Sequence, residues 1–155
     1  GVEAPSLPRA HVVVVGPEND DAALVGLIES LGGLVVADDH CSGSRYFWND
    51  VALDGDLMGA IAARYLERPL CPAKDIPQRR RLGHVVGIAK DYAAQGVVML
   101  QQKFCEPFEY EVPPLQARLR QEGIPSLLLE YDLAMNVGPM RSRIEAFLEM
   151  IELGV

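Results

Sequence analysis

Short β-branched runs alternate along the chain with segments whose apolar residues recur every three or four positions, and that alternation predicts βα units. His11-Val12-Val13-Val14-Val15-Gly16 is apolar without polar alternation, the pattern of a strand covered on both faces of a parallel sheet. Leu24, Leu27, Ile28 and Leu31 then fall at i, i+3, i+4 and i+7, one stripe of a helix that Asn19 or Asp20 caps and Gly32-Gly33 ends. Leu34-Val35-Val36-Ala37 follows as the second strand. The long connection from Asp38 to Gln95 holds two helices, one over Asp56 to Glu67 and one carrying Leu82, Val85, Val86 and Ala89 at helical spacing. Between them Pro69, Pro72 and Pro77 impose irregular chain.

Strand three is Val97 to Gln101, and a helix from about Pro113 to Glu122 carries Leu115 and Leu119 inward before Gly123 closes it. Pro125-Ser126-Leu127-Leu128-Leu129-Glu130 reads as strand four, and Ile144, Phe147, Leu148 and Ile151 stripe a last helix. Four such units, with right-handed crossovers and a reversal after the first strand, predict a three-layer α/β domain. It is flavodoxin-like or Rossmann-like, with a four-stranded parallel sheet in the order 2-1-3-4. Residues 11–155 are expected to form this single domain, and Gly1 to Ala10 reads as a linker from an upstream domain missing here.

The 155 residues are enough for an ordinary core without staples. A formal net charge of -8 opposes general phosphate-backbone binding, so nucleic acid is not an expected partner; the Arg79-Arg80-Arg81 triplet is read as a solvated helix start. Cys41, Cys71 and Cys105 are odd in number and widely spaced, which points to reduced thiols rather than a disulfide framework. No apolar run reaches membrane-spanning length and the first residues lack a leader pattern, so a soluble, cytoplasmic protein is expected.

In a parallel sheet the loops after all four strands emerge on one edge, where open α/β sheets place ligands. Here that edge gathers Gly16 to Asp20, Asp38 to Arg45, Gln102 to Cys105, and Glu130 to Asp132. The first loop lacks the G-x-G-x-x-G spacing, no Walker loop occurs, and Glu18, Asn19 and Asp20 would repel a phosphate from the first helix. Cys105 lies between Lys103, which favours a thiolate, and Glu106, which opposes it, and its local sequence fits a nucleophile, a redox thiol or a metal ligand equally well. His40 and Cys41 are adjacent and point opposite ways in extended chain, so they form no dyad. Asp38-Asp39 fits a metal or general-base pair and equally a turn or cap; His84 reads as a packed or surface residue. Tyr46-Phe47-Trp48 reads as a core or interface anchor. Cys41 and Cys105 should share the edge, about two strand spacings of ~5 Å apart, without a disulfide.

Five segments occur in one order: Asp38-Asp39-His40-Cys41-Ser42-Gly43-Ser44-Arg45-Tyr46-Phe47, Ala63-Arg64-Tyr65-Leu66, Gln102-Lys103-Phe104-Cys105-Glu106-Pro107, Gly123-Ile124-Pro125 and Arg141-Ser142-Arg143-Ile144-Glu145-Ala146-Phe147. Together they resemble the C-terminal domain of the 2-hydroxyacyl-CoA dehydratase and benzoyl-CoA reductase family, over nearly the whole chain. The resemblance implies a subunit of a strictly anaerobic enzyme that works with a homologous second subunit and an ATP-dependent activator protein on an acyl-CoA substrate. It also implies a four-iron four-sulfur cluster held by three cysteines, with Cys105 matching the ligand of this domain. Thiolates suit such clusters, and three protein ligands leave one iron open.

The resemblance places the other two ligands in an upstream domain that this chain lacks, so the isolated chain is expected to hold no cluster and to be inactive. Gln102, Lys103 and Asp39 become candidates for polarising a thioester or orienting the cluster loop, with Cys41 and His40 beside them. Cys71, in the Pro-rich connection, is expected to have no route to that edge. The alternative is a noncatalytic α/β module that binds a small ligand or a partner at the same edge.

Overall fold

The computed structural model describes residues 8–19, 22–75, 78–132 and 137–154. Strands β1 (Ala10–Val15), β2 (Gly33–Asp39), β3 (Gly96–Gln102) and β4 (Ser126–Tyr131) form one sheet in the order 2-1-3-4, as the pattern predicts. Every strand pair is parallel. Helices α1 (Ala23–Ser30), α2 (Ser44–Phe47), α3 (Leu57–Glu67), α4 (Arg80–Asp91), α5 (Glu106–Gln121) and α6 (Arg141–Leu153) follow in chain order. Two 3-10 turns, Pro72–Lys74 and Gly138–Met140, complete the described regular structure. Asp20, Pro77 and the first seven residues of the expected linker lie outside the described residues.

The unbroken apolar runs of β1 and β3 are explained by two separate cores. Val12, Val14, Val98 and Leu100 pack on α1 and α6 through Leu24, Ile28, Ile144 and Leu148. Val13, Val15, Val97 and Met99 face the other way, onto α4 and α5 through Val85, Ile88, Phe108, Leu115 and Leu119. Successive residues of a strand point to opposite faces, so a central strand needs apolar side chains at every position. Each such fully buried side chain contributes roughly 1.5–3 kcal/mol.

Three local expectations are corrected. Helix α1 begins at Ala23 with Ala22, not Asn19, at its N-cap. Helix α5 starts at Glu106 rather than Pro113 and carries Pro113 and Pro114 inside it. Burial of Phe108 and Val112 recruits these almost two extra turns, and Pro107 fits the first turn because its missing N–H would have no partner there. The arginine triplet is not all solvated: Arg81 is only 2% exposed.

Helix α3, capped by Asp56 accepting from Met58 N at 3.1 Å, contributes no buried residue. Its Leu57, Met58, Ile61 and Leu66, with Phe47 and Leu53 before it, leave an apolar face in solvent. The aromatic run Tyr46-Phe47-Trp48 is therefore not core. No helix among the described residues is long and apolar enough to cross a membrane.

Candidate functional site

The register places Asp39, the last residue of β2, beside Val15 at the end of β1, and Val15 beside Met99 of β3. Asp39 is the hub of the edge. Its carboxylate is wholly buried, accepts from Arg45 Nε at 2.9 Å, and pairs with Arg81 Nη1. Arg45 Nη2 donates to the Asp39 carbonyl at 2.7 Å and to the Gly16 carbonyl at 3.1 Å, while Nη1 reaches Cys41 Sγ at 3.3 Å. Arg81 Nε donates to Glu111 Oε2 at 2.8 Å, and the Arg81 amide donates to Asp75 Oδ2 at 2.6 Å. One buried network thus ties the ends of β1 and β2 to α2, α4, α5 and the 3-10 turn before α4.

Charge in this network is held by geometry. Burial alone pushes the Asp39 carboxyl up, but Arg81 and Arg45 together outweigh it and hold the group below the usual carboxylate range. Glu111 goes the other way, raised by its burial against the opposing pull of Arg81. Burial lowers both His40 and His84, keeping the neutral rings favoured. His40 Nδ1 lies 3.0 Å from the Pro17 carbonyl, so the ring serves the first loop and forms no dyad with Cys41.

The preceding acid has a local task. Asp38 accepts from the amides of His40 and Ser44, each at 3.1 Å, and so shapes the turn that starts α2. Gly43 makes this possible, since a Cβ there would lie 1.9 Å from Asp38 Oδ2. Tyr131 Oη donates to the Glu18 carbonyl at 2.9 Å and joins the first loop to β4.

Cys105 sits half-buried at the N-cap of α5, directly after β3. Its amide donates to the Gln102 carbonyl at 3.1 Å, and its own carbonyl receives the amides of Phe108 and Glu109 at 3.1 and 3.0 Å. Phe104, just before it, takes a left-handed φ of 71° and is 87% exposed. Lys103 is exposed, with Nζ 3.4 Å from Asp132 Oδ2, and Gln102 is half-buried. The backbone therefore fixes where the thiol emerges, while Lys103 stays open to solvent.

Cys41 and Cys71 line one cavity of about 210 Å³ with Arg45, Tyr65, Arg68 and Lys74. The Pro-rich connection folds back to this edge, which corrects the expectation that Cys71 has no route to it. Burial raises the Cys41 thiol, Arg45 counteracts, and the thiols of Cys71 and Cys105 are near enough to add to the rise. All three cysteines thus approach the same edge, and none is in a disulfide. Among the described residues, no three His, Cys, Asp or Glu side chains are gathered to hold a metal ion.

Residues 2–151 match the family model described as 2-hydroxyglutaryl-CoA dehydratase, D-component. The chain belongs to that family. It is 28% identical over 151 residues to the (R)-phenyllactyl-CoA dehydratase beta subunit of Clostridium sporogenes, covering 97% of this chain and 40% of that protein. A benzoyl-CoA reductase subunit of Thauera aromatica is 27% identical over 98% of this chain and 41% of its own length. The (R)-2-hydroxyglutaryl-CoA dehydratase beta subunit of Acidaminococcus fermentans is 28% identical over 76% of this chain and 32% of its own length. This dehydratase-family chain therefore spans well under half the length of these relatives.

Sequence reasoning missed the buried polar network of this dehydratase-family edge: Arg45, Asp75, Arg81 and Glu111. A signal existed for two of them. Extending the stripe of α4 back one turn from Val85 lands on Arg81, and extending that of α5 back from Leu115 lands on Glu111, charges of opposite sign on facing helices.

Proposed function

We propose that this chain is part of an iron–sulfur acyl-CoA dehydratase or benzoyl-CoA reductase subunit, contributing Cys105 as one thiolate ligand of a four-iron four-sulfur cluster and one wall of the acyl-CoA site. The observation that carries this reading is the placement of Cys105. It stands at the C-terminal edge of the sheet, on a turn pinned by backbone hydrogen bonds on both sides, in a chain of the dehydratase family. A metal deprotonates a coordinating thiol outright, so a fixed position is what the protein must provide.

This chain's described residues do not make a complete cluster site, and the remaining thiolates are assigned to other parts of the parent subunit. When bound, such a cluster supplies low-potential single electrons for chemistry on the thioester. Lys103, exposed at the mouth of the loop, offers a cation to the thioester oxygen, and Gln102 carries the carbonyl that positions the Cys105 amide. Asp39 is enclosed and acts through Arg45 and Arg81 as a positioning residue. His40 and Cys41 brace the loops beside it.

A homologous second subunit and an ATP-dependent activator complete the enzyme in this reading. The names of the relatives, which are subunits, and the apolar face on α2 and α3 support a partner. Three free thiols accord with a cytoplasmic setting. The test is anaerobic purification of the parent subunit with its partner, followed by iron and acid-labile sulfide assay. Stoichiometric iron and sulfide support the cluster; a folded, iron-free complex leaves the chain a noncatalytic module.

A further inference from the structure

Helix α3 carries its apolar stripe on the wrong side for a surface helix. Met58, Ile61, Ala62, Tyr65 and Leu66 fall at i, i+3, i+4, i+7 and i+8, and all five are exposed. The half-buried side is Ala60, Ala63 and Arg64. There Arg64 Nε donates to the Asn49 carbonyl at 3.0 Å and Nη2 to the Tyr46 carbonyl at 2.9 Å, while the Arg64 and Arg68 guanidiniums lie over the Tyr46 and Tyr65 rings. These contacts, with no buried side chain of its own, hold α3 in place. A stripe of this width ordinarily faces a core, so one turned to solvent calls for a partner.

Area, charge and symmetry say what that partner is. Phe47, Trp48, Leu53 and Leu57, in α2 and the chain leading into α3, are exposed as well. At ~150–250 Å² for a whole large side chain, the exposed fractions come to roughly 900 Å², above the ~300–600 Å² of the largest patch on an ordinary monomer and close to the ~800 Å² that each partner gives to a stable interface. The sequence around the stripe is also complementary to itself. Two copies of α3 packed antiparallel about a twofold axis at Ala62 set Met58 of one level with Leu66 of the other, Tyr65 with Gly59, and the N-cap acid Asp56 with Arg68. Asp54 adds to the acidic end and Arg64 to the basic end, with Glu67 the opposing charge. Gly59 and Ala62, both exposed and small, admit a close approach of the two helices.

We propose that the outward face of α2 and α3 pairs with the same face of a second copy of this chain, α3 against α3 and antiparallel about Ala62. Such an isologous contact is closed, so it stops at a dimer. Tyr65 lies both on the stripe and in the wall of the cavity of Cys41 and Cys71, so the second copy sits beside that cavity. The apolar face, which alone speaks only for a partner in general, is thereby assigned to a like chain, and the homologous subunit is left a different surface. Nothing is asked of Cys105 or of a cluster, so iron content and dimer mass succeed or fail separately.

Sedimentation of the purified chain from about 1 to 100 μM tests the proposal, since interfaces of this size hold at micromolar concentration or below. The measurement is repeated on the parent subunit alone and with its partner subunit. The expected result is a dimer at the upper concentrations for the chain and for the parent subunit alone. Ala62→Glu and Ala62→Lys change an exposed position to good helix formers, so the fold is kept, as far-ultraviolet circular dichroism should show. Each variant sets like charges face to face across the axis and should weaken the dimer about tenfold or more. An equal mixture of the two should dimerise again, because only a twofold contact through Ala62 brings Glu against Lys. A monomeric chain, a parent subunit that is monomeric alone because its own chain covers the face, or a dimer that appears only with the partner subunit would overturn it. So would a dimer that neither variant weakens, or a mixture no tighter than its components.

Discussion

Asp39 and Arg81 stand 42 positions apart in the chain and meet as an ion pair in which neither side chain is exposed. The pair joins the end of β2 to the start of α4, and Arg45 and Glu111 extend it to α2 and α5. It sets the shape of the edge from which Cys105 and Lys103 project.

Breaking this pair from one side leaves charge stranded in a dry interior. Arg81→Ala should cost about 3–5 kcal/mol, measured by urea unfolding, because Asp39 and Glu111 lose their shared partner. Arg81→Met combined with Glu111→Gln, which leaves Asp39 paired with Arg45, should recover most of that loss. Equal destabilisation by the single and double variants would show that packing, not charge, holds the edge.

Gly43→Ala should destabilise the chain by about 1–3 kcal/mol, because the new Cβ collides with the Asp38 carboxylate that shapes the turn into α2. Asp38→Ala in the same background removes the collision. A thermal melt in which Asp38→Ala relieves the effect of Gly43→Ala would confirm the contact, and strict additivity would refute it.

Phe104 carries the opposite expectation. Its left-handed φ is costly for a side chain, and at 87% exposure it gives little packing in return, so Phe104→Gly should stabilise by up to about 1 kcal/mol. A loss of stability in urea would mean that the ring is held by contacts this geometry does not contain.

Stability should also depend on pH through the buried histidines. Burial lowers His40 and His84 from 6.5, so below that value the unfolded chain binds more protons than the folded one. Their share of stability is full above about pH 6.5 and shrinks as pH falls, until the folded values are passed. Asp39, lowered in the fold, loses its share as pH falls through its folded value, whereas Glu111, raised, works in the opposite sense. Urea midpoints between about pH 7.5 and 5.5 should therefore fall, and His40→Gln with His84→Gln should flatten the slope.

The sheet was legible because its evidence is local and repeated. Unbroken Val runs mark β1 and β3, glycines mark the ends of α1 and α5, and the crossover rule then orders the strands. The start of α5 was not legible, because Pro113 and Pro114 mimic a helix start while the burial that extends the helix comes from distant partners. Asp39, Arg81 and Glu111 were hidden for the same reason: a charged residue announces solvent until its counter-charge is located, and here the partners are 42 and 30 positions away. Cys105 at the edge followed from topology alone. The return of Cys71 to that edge depended on how a 3-10 turn anchored by Asp75 and Arg81 folds the connection, which no spacing encodes.

The central claim rests on Cys105 and is tested most directly by counting iron and acid-labile sulfide in the anaerobically purified parent subunit with its partner. Wild type and single serine variants of the three cysteines are compared, serine keeping the size of cysteine while replacing a soft thiolate with a poorer ligand. Removing one thiolate from a multi-ligand site should be felt strongly, since such sites gain on the order of 10 kcal/mol from ligands acting together. The account predicts that Cys105→Ser loses the cluster and turnover together. It predicts that Cys41→Ser and Cys71→Ser keep their iron, because these thiols face the cavity of Arg45 and Arg68. Full iron in Cys105→Ser, with loss in Cys41→Ser or Cys71→Ser, would contradict it.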